Sequence, residues 1–319
     1  MSAGRAPEAV VWDLLHGALA TRAVGLVVEL GIPDALAQGP RHVDDLAAGA
    51  NADADALYRV MRALASEDVF AEEETGVFRN TPASETLMRG GGWAEFALLF
   101  GGAWHRTAGE LQADGRPAFE RIFGTDYWSW LADHPEERTI FDLAMSEGRE
   151  RRADRLEAVE WRGDETVVDV GGGNGSLLVT LLERRPGLRG IVFDLPETVR
   201  DEEALGERIA FVEGSFFDTV PEGDVYVLGT VLHDWDDESA ARILRTIRNS
   251  APDGSRLLIL DAVLPPGNEP DGTKWLDLLM LCLLSGKERN EEQWRDLLAK
   301  GGFEPVRFEE ALIEAVPAA

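Results

Sequence analysis

Residues 167–197 read VVDVGGGNGSLLVTLLERRPGLRGIVFDLPE, and this stretch decides the fold that the sequence predicts. An apolar run ends at Val170, a glycine-rich loop follows, and a helical pattern begins near Ser176. A second apolar run then ends at Asp194. A strand, a glycine loop, a helix and a second strand in this order are typical of a parallel α/β sheet, which binds ligands at the carboxyl ends of its strands.

The same alternation continues through the second half of the chain. Further strand candidates are LRGIVFDLP, IAFVEGSFF, DVYVLGTVLH and SRLLILDAVL, and helical patterns cover DESAARILRTIRNSA and NEEQWRDLLAKGGF. Because strands and helices alternate, residues 161–319 are predicted to form one α/β domain around a doubly wound parallel sheet.

The first 95 residues have a different pattern, in which short helices precede two short strands with a turn near Gly76. This order is typical of a winged-helix domain, a class that often binds DNA. Residues 41–80, however, contain four arginines and nine acidic residues, and the second helix offers only Arg59 and Arg62. We therefore expect residues 1–95 to form a winged-helix-like scaffold or dimerisation domain rather than a DNA-binding module.

Residues 96–160 are predicted to form a helical linker that is unusually rich in aromatic residues. They are Phe96, Phe100, Trp104, Phe119, Phe123, Tyr127, Trp128, Trp130 and Phe141. Such residues either pack a core or line a ligand pocket, and both interpretations stay open from the sequence.

Composition narrows the class of partner. The 319 residues include 31 basic and 59 acidic residues, and the net charge of −28 argues against nucleic acid or an anionic membrane as a partner. Cys282 is the sole cysteine, which excludes an internal disulfide and a cysteine-cluster metal site, and the five histidines lack metal-ligand spacing. We find no signal peptide and no stretch apolar enough to span a bilayer, so we expect a cytoplasmic protein.

The glycine loop indicates the ligand. Gly171, Gly173 and Gly175 give G-x-G-x-G rather than the dinucleotide fingerprint G-x-G-x-x-G. Asp169 just before them would repel a pyrophosphate but suits a cationic or amino-acid-bearing ligand. Asp194 follows at the distance where an acid meets ribose hydroxyls in this type of sheet. The pattern therefore favours S-adenosylmethionine over a dinucleotide.

A second motif, VLHDWDDESAARILRTI, occupies residues 231–247. Asp234, Asp236 and Asp237 are interpreted as acids that complement the N-terminus of the next helix. They leave His233 unexplained, and in this half of the chain it is the only histidine expected at the carboxyl end of a strand.

These motifs, with FDLAMS at 141–146, LILDAVLP at 258–265 and LDLLMLCLLSGKERNEEQW at 276–294, carry a resemblance that covers nearly the whole chain. The sequence resembles the plant-type small-molecule O-methyltransferases, including caffeic-acid-like enzymes and bacterial antibiotic-tailoring ones. The resemblance implies a Rossmann-like methyltransferase sheet and a homodimer formed through the N-terminal domain. It also implies methyl transfer from S-adenosylmethionine to a hydroxyl, most simply a phenolic one, of a small aromatic molecule, with S-adenosylhomocysteine as the product and no metal required.

The resemblance assigns a role to each candidate site residue. His233 is implied as the general base, held by Asp261 and Glu288. Residues implied in cofactor binding are Asp169, Gly171, Gly173, Asp194, Leu195, Ser215, Phe216, Gly229 and Trp235. Residues implied in shaping the substrate pocket are Phe141, Met145 and Met280.

Two positions depart from the family pattern. Many relatives carry an aspartate at the position of Ser215, and plant members often carry a lysine four residues before the histidine, where this chain has Gly229. These departures are expected to alter the affinity for the cofactor. Two alternatives stay open: a repurposed fold that catalyses hydroxylation or decarboxylation, and a winged-helix regulator that senses S-adenosylmethionine. Hydroxyl, carboxyl and amine acceptors also stay open, although the histidine favours a hydroxyl.

Overall fold

The computed structural model describes residues 6–90, 92–198, 205–309 and 311–318. The chain divides into two compact units, Met1–Gly109 with Leu143–Glu147, and Glu110–Asp142 with Gly148–Ala319. The segment predicted as a helical linker, 96–160, is shared between these units.

The first unit is mainly helical. Its elements are α1 (Pro7–Glu29), α2 (Ile32–Ala35), β1 (Arg41–His42), α3 (Val43–Ala50), α4 (Ala54–Ala65), β2 (Phe70–Glu74), β3 (Val77–Asn80), α5 (Pro82–Glu85), α6 (Trp93–Gly101) and α7 (Ala103–Ala108). Strands β2 and β3 form the predicted wing around a turn at Gly76, whose φ of 82° favours glycine. Strand β1 pairs with β3 and adds a short third strand that the sequence did not indicate.

Helix α1 exposes a row of large apolar side chains. They include Val11, Trp12, Leu14, Leu15 and Leu19. The helix is 23 residues long and contains an 18-residue window of mean hydropathy 1.3, which is long and apolar enough to cross a membrane by length and composition. The expectation that no stretch could do so is therefore wrong for α1. An exposed apolar face of this kind is also typical of an interaction surface.

The second unit contains the large sheet. Its elements are α8 (Ala118–Phe123), α9 (Tyr127–Asp133), α10 (Pro135–Ser146, whose last residues belong to the first unit), α11 (Arg149–Glu157), β4 (Thr166–Val170), α12 (Ser176–Arg184), β5 (Arg189–Asp194), β6 (Ile209–Glu213), β7 (Val225–Leu228), α13 (Asp237–Ser250), β8 (Arg256–Ile259), α14 (Gly272–Leu283), α15 (Glu291–Gly301), β9 (Phe303–Glu309) and β10 (Leu312–Pro317).

The strand order is β6-β5-β4-β7-β8-β10-β9. The first five strands are parallel, whereas β10 pairs antiparallel with both β8 and β9. The predicted doubly wound parallel sheet is therefore confirmed in five strands, and β10 and β9 extend it in antiparallel orientation. The antiparallel orientation has a simple cause: β9 and β10 follow each other with no crossover helix between them, and such neighbours pair antiparallel.

Helices cover both faces of this sheet. Val168 and Val170 of β4 pack into a buried cluster with residues of α13 and α15, whereas Val167 packs with residues of α11 and α12. The strand order reverses between β4 and β7, which opens a crevice at their carboxyl ends in a doubly wound sheet. Gly171 follows β4 and Gly229 follows β7 at this crevice.

Candidate active site

The glycine loop, residues 171–175, follows β4 and uses backbone conformations that favour glycine. Gly171, Gly173 and Gly175 have φ values of 72°, 58° and 81°. A Cβ on Gly171 would lie 2.9 Å from Cγ2 of Val231, whereas a Cβ on Gly173 would meet nothing within 4 Å. The loop thus needs glycine at 171 for packing, and at 173 its backbone borders open space that a ligand can approach.

Asp194 fastens the glycine loop to the end of β5. Its Oδ2 accepts a hydrogen bond of 2.7 Å from the backbone N–H of Gly173. Its Oδ1 accepts hydrogen bonds of 2.7 Å from the N–H of Leu195 and from Oγ1 of Thr198. A carboxylate has about four acceptor positions, so Asp194 retains capacity for a further donor.

Asp169, in β4, is buried and incompletely bonded. Its Oδ2 has no hydrogen-bond partner among the described residues. Burial raises the pKa of Asp169 to about 7, against the opposing charge of Arg152 and together with the negative charge of Asp194. A buried acceptor without a partner is costly in a folded protein, and here it lies next to the open glycine loop.

Aromatic side chains stand beside the loop. The ring of Trp235 lies edge-on to Phe216 at 5.8 Å and to Phe217 at 4.8 Å between centroids. Phe216 Cε1 would lie 3.7 Å from a Cβ on Gly171, so its ring is near the glycine loop. Ser215 forms the turn before these rings, because its Oγ accepts from the N–H of Phe217 at 3.2 Å.

His233 occupies a short 3-10 turn, Leu232–Asp234, which we call the histidine turn and which follows β7. Its Nδ1 lies 2.7 Å from Oε1 of Glu288, and its Nε2 lies 3.4 Å from Oδ1 of Asp234. A carboxylate only accepts hydrogen bonds, so Glu288 fixes the proton on Nδ1 of the neutral ring. Nε2 is then the nitrogen that can take up a proton.

Asp234 and Asp261 differ from the positions that the sequence indicated. The expected acid beside the imidazole, Asp261, is not within ion-pair distance of it and instead accepts a hydrogen bond of 3.2 Å from the N–H of Leu232. Asp234, interpreted as a partner of the next helix, faces the ring. Asp236 caps that helix by accepting a hydrogen bond of 2.8 Å from the N–H of Ser239. A buried turn directly after an apolar strand is the signal that could have identified Asp234.

The buried charges in this cluster determine the pKa of its members. Desolvation lowers the pKa of His233, but the negative charges of Asp234, Glu288 and Asp261 outweigh it and raise that pKa to about 10. Burial raises the pKa of Asp234 to about 7 and that of Asp261 to about 6, against the opposing charge of the imidazole. The cluster therefore stabilises a positive charge on His233.

Arg289 stabilises the histidine turn through hydrogen bonds to its backbone, and nothing in the sequence pattern indicated these contacts. Its guanidinium is fully buried and donates to the carbonyl oxygens of Leu232 at 2.8 Å and Trp235 at 2.7 Å. It also donates to Oδ1 of Asp237 at 2.9 Å and lies over the ring of Trp294. The planar guanidinium carries five N–H donors, so it can form all of these hydrogen bonds at the same time.

The residues implied in substrate binding are spread over two helices. Phe141 lies edge-on to Tyr127 and Trp128 in an aromatic cluster of the second unit. Met280 is buried on α14, which packs against α8. Met145 is half-buried and belongs to the first unit, so its role stays a prediction. Within the described ranges, no group of three or more His, Cys, Asp or Glu side chains is arranged to hold a metal ion.

Comparison with known proteins identifies the family of this chain. The sequence model of the O-methyltransferase domain matches residues 104–304, and that of the O-methyltransferase dimerisation domain matches residues 12–90. The chain is 38% identical to the phenazine O-methyltransferase PhzM of Lysobacter antibioticus, over 94% of this chain and 92% of the relative. The chain therefore belongs to the O-methyltransferase family, as the sequence motifs indicated.

Solved structures show the same fold. The mitomycin 7-O-methyltransferase MmcR superimposes with a TM-score of 0.89 at 34% identity, covering 98% of both chains. The O-methyltransferase NcsB1 from neocarzinostatin biosynthesis, solved with S-adenosylhomocysteine and 1,4-dihydroxy-2-naphthoic acid, superimposes with a TM-score of 0.80 at 32% identity, covering 94% of this chain and 96% of that one. The expected methyltransferase sheet with an N-terminal helical dimerisation domain is confirmed.

Proposed function

We propose that this chain transfers a methyl group from S-adenosylmethionine to a phenolic hydroxyl of a small aromatic or polyketide-like metabolite, with His233 as the general base. The observation that carries the proposal is the His233–Glu288 pair at the end of β7, next to the glycine loop at the end of β4. Family membership and the aromatic ligand of the neocarzinostatin relative support the substrate class.

The residues present fit S-adenosylmethionine, which supplies an electrophilic methyl group on a sulfonium when bound. Asp194 has an acceptor position left for ribose hydroxyls, and Asp169 has a buried oxygen without a partner. Phe216, Trp235 and the turn at Ser215 offer apolar and polar contacts for adenine. The remaining lining comes from the backbone of Gly171, Gly173, Leu195 and Gly229.

His233 is suited to remove the phenolic proton as the oxygen attacks. A free phenol titrates near ~10, and the buried acids raise the pKa of His233 to about 10, so proton transfer between them is nearly balanced. General-base catalysis of this kind contributes about 10²–10⁴-fold. Glu288 orients the ring and stabilises the imidazolium that forms, while Asp234 and Asp261 act through their charges.

The pocket residues and the three segments of the chain also have roles in this proposal. Phe141, Met145 and Met280 shape the acceptor pocket, residues 1–95 dimerise, residues 96–160 line the pocket and residues 161–319 bind the cofactor. A second copy of the chain covers the apolar face of α1, as the match to a dimerisation domain supports. This cover fits a cytoplasmic homodimer, because the apolar face then needs no membrane. The acidic residues of the wing disfavour a nucleic-acid partner, because binding to phosphates depends on basic side chains.

The proposal is tested by offering the purified protein S-adenosylmethionine with a matched panel of phenols and the corresponding anilines, including 1,4-dihydroxy-2-naphthoic acid. Mass spectrometry should detect the gain of one methyl group on phenols, and in a timed reaction His233→Ala should form about 10²–10⁴-fold less product than the wild type. Methylation of the anilines alone would contradict the hydroxyl assignment. Failure of the wild type to bind S-adenosylhomocysteine in calorimetry would contradict the cofactor assignment.

A further inference from the structure

Arg138 and Asp142 form a buried ion pair on α10. Their side chains are only 8% and 6% exposed, and Nε of Arg138 donates to Oδ1 of Asp142 at 2.9 Å and to Oδ2 at 3.0 Å. The pair with the same spacing on α15, Arg295 with Glu291, is more than half exposed. The desolvation of two charges can cost more free energy than their attraction returns, so helix stability alone does not account for a buried pair.

The guanidinium of Arg138 also bonds outside its own helix. Its Nη2 donates a hydrogen bond of 2.8 Å to Oγ1 of Thr198, which lies 60 residues further along the chain. Thr198 is buried, and the same Oγ1 donates a hydrogen bond of 2.7 Å to Oδ1 of Asp194. Because a guanidinium only donates and an ionised carboxylate only accepts, the single hydroxyl proton of Thr198 is directed to Asp194. One hydroxyl therefore joins the buried pair on α10 to the acid at the end of β5.

This link affects the orientation of the Asp194 carboxylate. Oδ1 accepts from Oγ1 of Thr198 and from the N–H of Leu195, whereas Oδ2 accepts from the N–H of Gly173, whose backbone borders open space. The terminal torsion of an aspartate side chain has a broad energy minimum, so its carboxylate orientation depends on such bonds. A hydroxyl that accepts from a guanidinium is also a stronger donor, because consecutive hydrogen bonds polarise one another.

We propose that Arg138 and Thr198 are positioning residues, which fix the carboxylate of Asp194 and thereby set the preference of the site for a cofactor with ribose hydroxyls. Both residues act through Asp194 and neither contacts the cofactor. This inference rests on the proposed function, in which Asp194 binds the ribose of S-adenosylmethionine. A merely structural role of the two residues would weaken all ligands of the site equally, so the decisive quantity is the preference for the ribose hydroxyls.

The test compares S-adenosylhomocysteine with its 2′,3′-dideoxy analogue, which lacks both ribose hydroxyls, and calorimetry measures the two affinities. The wild type should prefer S-adenosylhomocysteine by about 10- to 100-fold, the range for hydrogen bonds to a charged group. Thr198→Val keeps the side-chain shape and the ion pair on α10 but removes the hydroxyl. It should weaken S-adenosylhomocysteine binding by about 5- to 20-fold. The affinity for the analogue should stay within about threefold of the wild type.

Two further threonine variants are the controls. Thr139 is exposed on α10 and its hydroxyl donates to the carbonyl oxygen of Pro135 on the same helix, so Thr139→Val should leave the ribose preference unchanged. Thr198→Ser keeps the hydroxyl and should retain most of the preference. In Thr198→Val the KM for S-adenosylmethionine should rise, whereas kcat at saturating cofactor should fall less, because cofactor binding and not proton transfer is impaired.

A double variant tests the arginine. Arg138→Met alone would deprive the buried carboxylate of Asp142 of its ion pair, so Arg138→Met combined with Asp142→Leu removes both charges. This variant should lower the ribose preference by about 3- to 10-fold. Arg295→Met combined with Glu291→Leu removes the exposed pair and should leave the preference unchanged. If the first double variant does not fold, Arg138→Lys keeps the charge without the planar fork and provides the same comparison.

The outcomes distinguish this inference from the proposed function. If Thr198→Val leaves the ribose preference unchanged, whether both affinities fall or neither does, the inference is wrong. An unchanged preference in the arginine variants would contradict the part assigned to Arg138. A wild type that binds neither ligand contradicts the proposed cofactor, and one that binds both equally contradicts the ribose contact of Asp194 and with it the inference. Selective loss of S-adenosylhomocysteine affinity in Thr198→Val, with retention in Thr198→Ser, supports the inference.

Discussion

The glycine loop follows β4 and the histidine turn follows β7, and these two strands are parallel neighbours. A negatively charged side chain stabilises the glycine loop, whereas a positively charged side chain stabilises the histidine turn. In the glycine loop, the carboxylate of Asp194 accepts from the backbone N–H groups of Gly173 and Leu195. In the histidine turn, the guanidinium of Arg289 donates to the carbonyl oxygens of Leu232 and Trp235. An anion thus organises donors in one segment, and a cation organises acceptors in the other.

The two segments also leave different groups available. Beside the glycine loop, Oδ2 of Asp169 in β4 is a buried acceptor that a ligand could bind. The histidine turn leaves Nε2 of His233 for a proton, because Nδ1 is bonded to Glu288. We infer from this difference that separate sets of residues bind the cofactor and transfer the proton, although both sets lie at one edge of the sheet. Substitutions in the two segments should therefore affect different measurements.

The largest expected effect comes from removing the imidazole. His233→Ala should lower kcat for a phenolic acceptor by about 10²–10⁴-fold, the usual contribution of a general base. A fall in kcat of less than about threefold would contradict the role of His233 as general base, since catalysis would then depend only on the positioning of the two reactants. His42→Ala, which changes an exposed histidine of the first unit, serves as the matched control.

The pH dependence of kcat/KM sharpens the role of the buried acids. Because the pKa of His233 is raised to about 10, its neutral form is scarce near pH 7 and increases about tenfold per pH unit towards that pKa. We expect kcat/KM of the wild type to rise from pH 7 to 9. Glu288→Gln removes an acid that raises this pKa, so the rising limb should move to lower pH. An unchanged limb in Glu288→Gln would show that another group titrates.

Arg289 should matter to the histidine turn and not to the glycine loop. Arg289→Met leaves one buried and one partly buried carbonyl oxygen without this donor, so the free energy of unfolding should fall by roughly 2–4 kcal/mol. In the fraction that remains folded, kcat should fall about tenfold and the affinity for S-adenosylhomocysteine should stay unchanged. Arg289→Lys should restore part of kcat, whereas Arg295→Met, an exposed substitution, should have no effect. Equal loss of kcat and affinity in Arg289→Met would contradict a separate positioning role.

The smallest expected effect concerns the glycine loop. Gly171→Ala forces a side chain onto a φ of 72° and against Val231, at a cost of about 1–3 kcal/mol. Calorimetry should show an affinity for S-adenosylhomocysteine about tenfold lower, while the pH of the rising limb stays that of the wild type. A shift of that limb would mean that the loop and the histidine turn are not separate.

Much of this arrangement could be predicted from the sequence because it depends on local patterns. The glycine loop follows β4, Asp194 ends β5 and His233 lies in the turn that follows β7, so the parallel strands bring them to one edge. Arg289 could not be recognised, because its contacts with Leu232 and Trp235 join segments far apart in the chain. Asp234 was misassigned because only the geometry of the 3-10 turn decides whether its side chain faces the helix or the imidazole.

Two features of the fold could not be predicted from local sequence patterns either. The five parallel strands follow the alternation of strands and helices, whereas the antiparallel pair β9 and β10 follows the last helix and was not indicated by that alternation. The length and apolar composition of α1 suit a membrane span as well as a partner surface, since hydropathy does not record what covers a helix.

The most direct test of separate binding and proton-transfer residues is a calorimetric titration with S-adenosylhomocysteine of the wild type, His233→Ala and Asp194→Ala. We expect micromolar binding, about −8 kcal/mol, by the wild type and by His233→Ala, and loss of binding by Asp194→Ala. The account would be contradicted by a wild type that does not bind, or by a His233→Ala variant that loses affinity as strongly as Asp194→Ala.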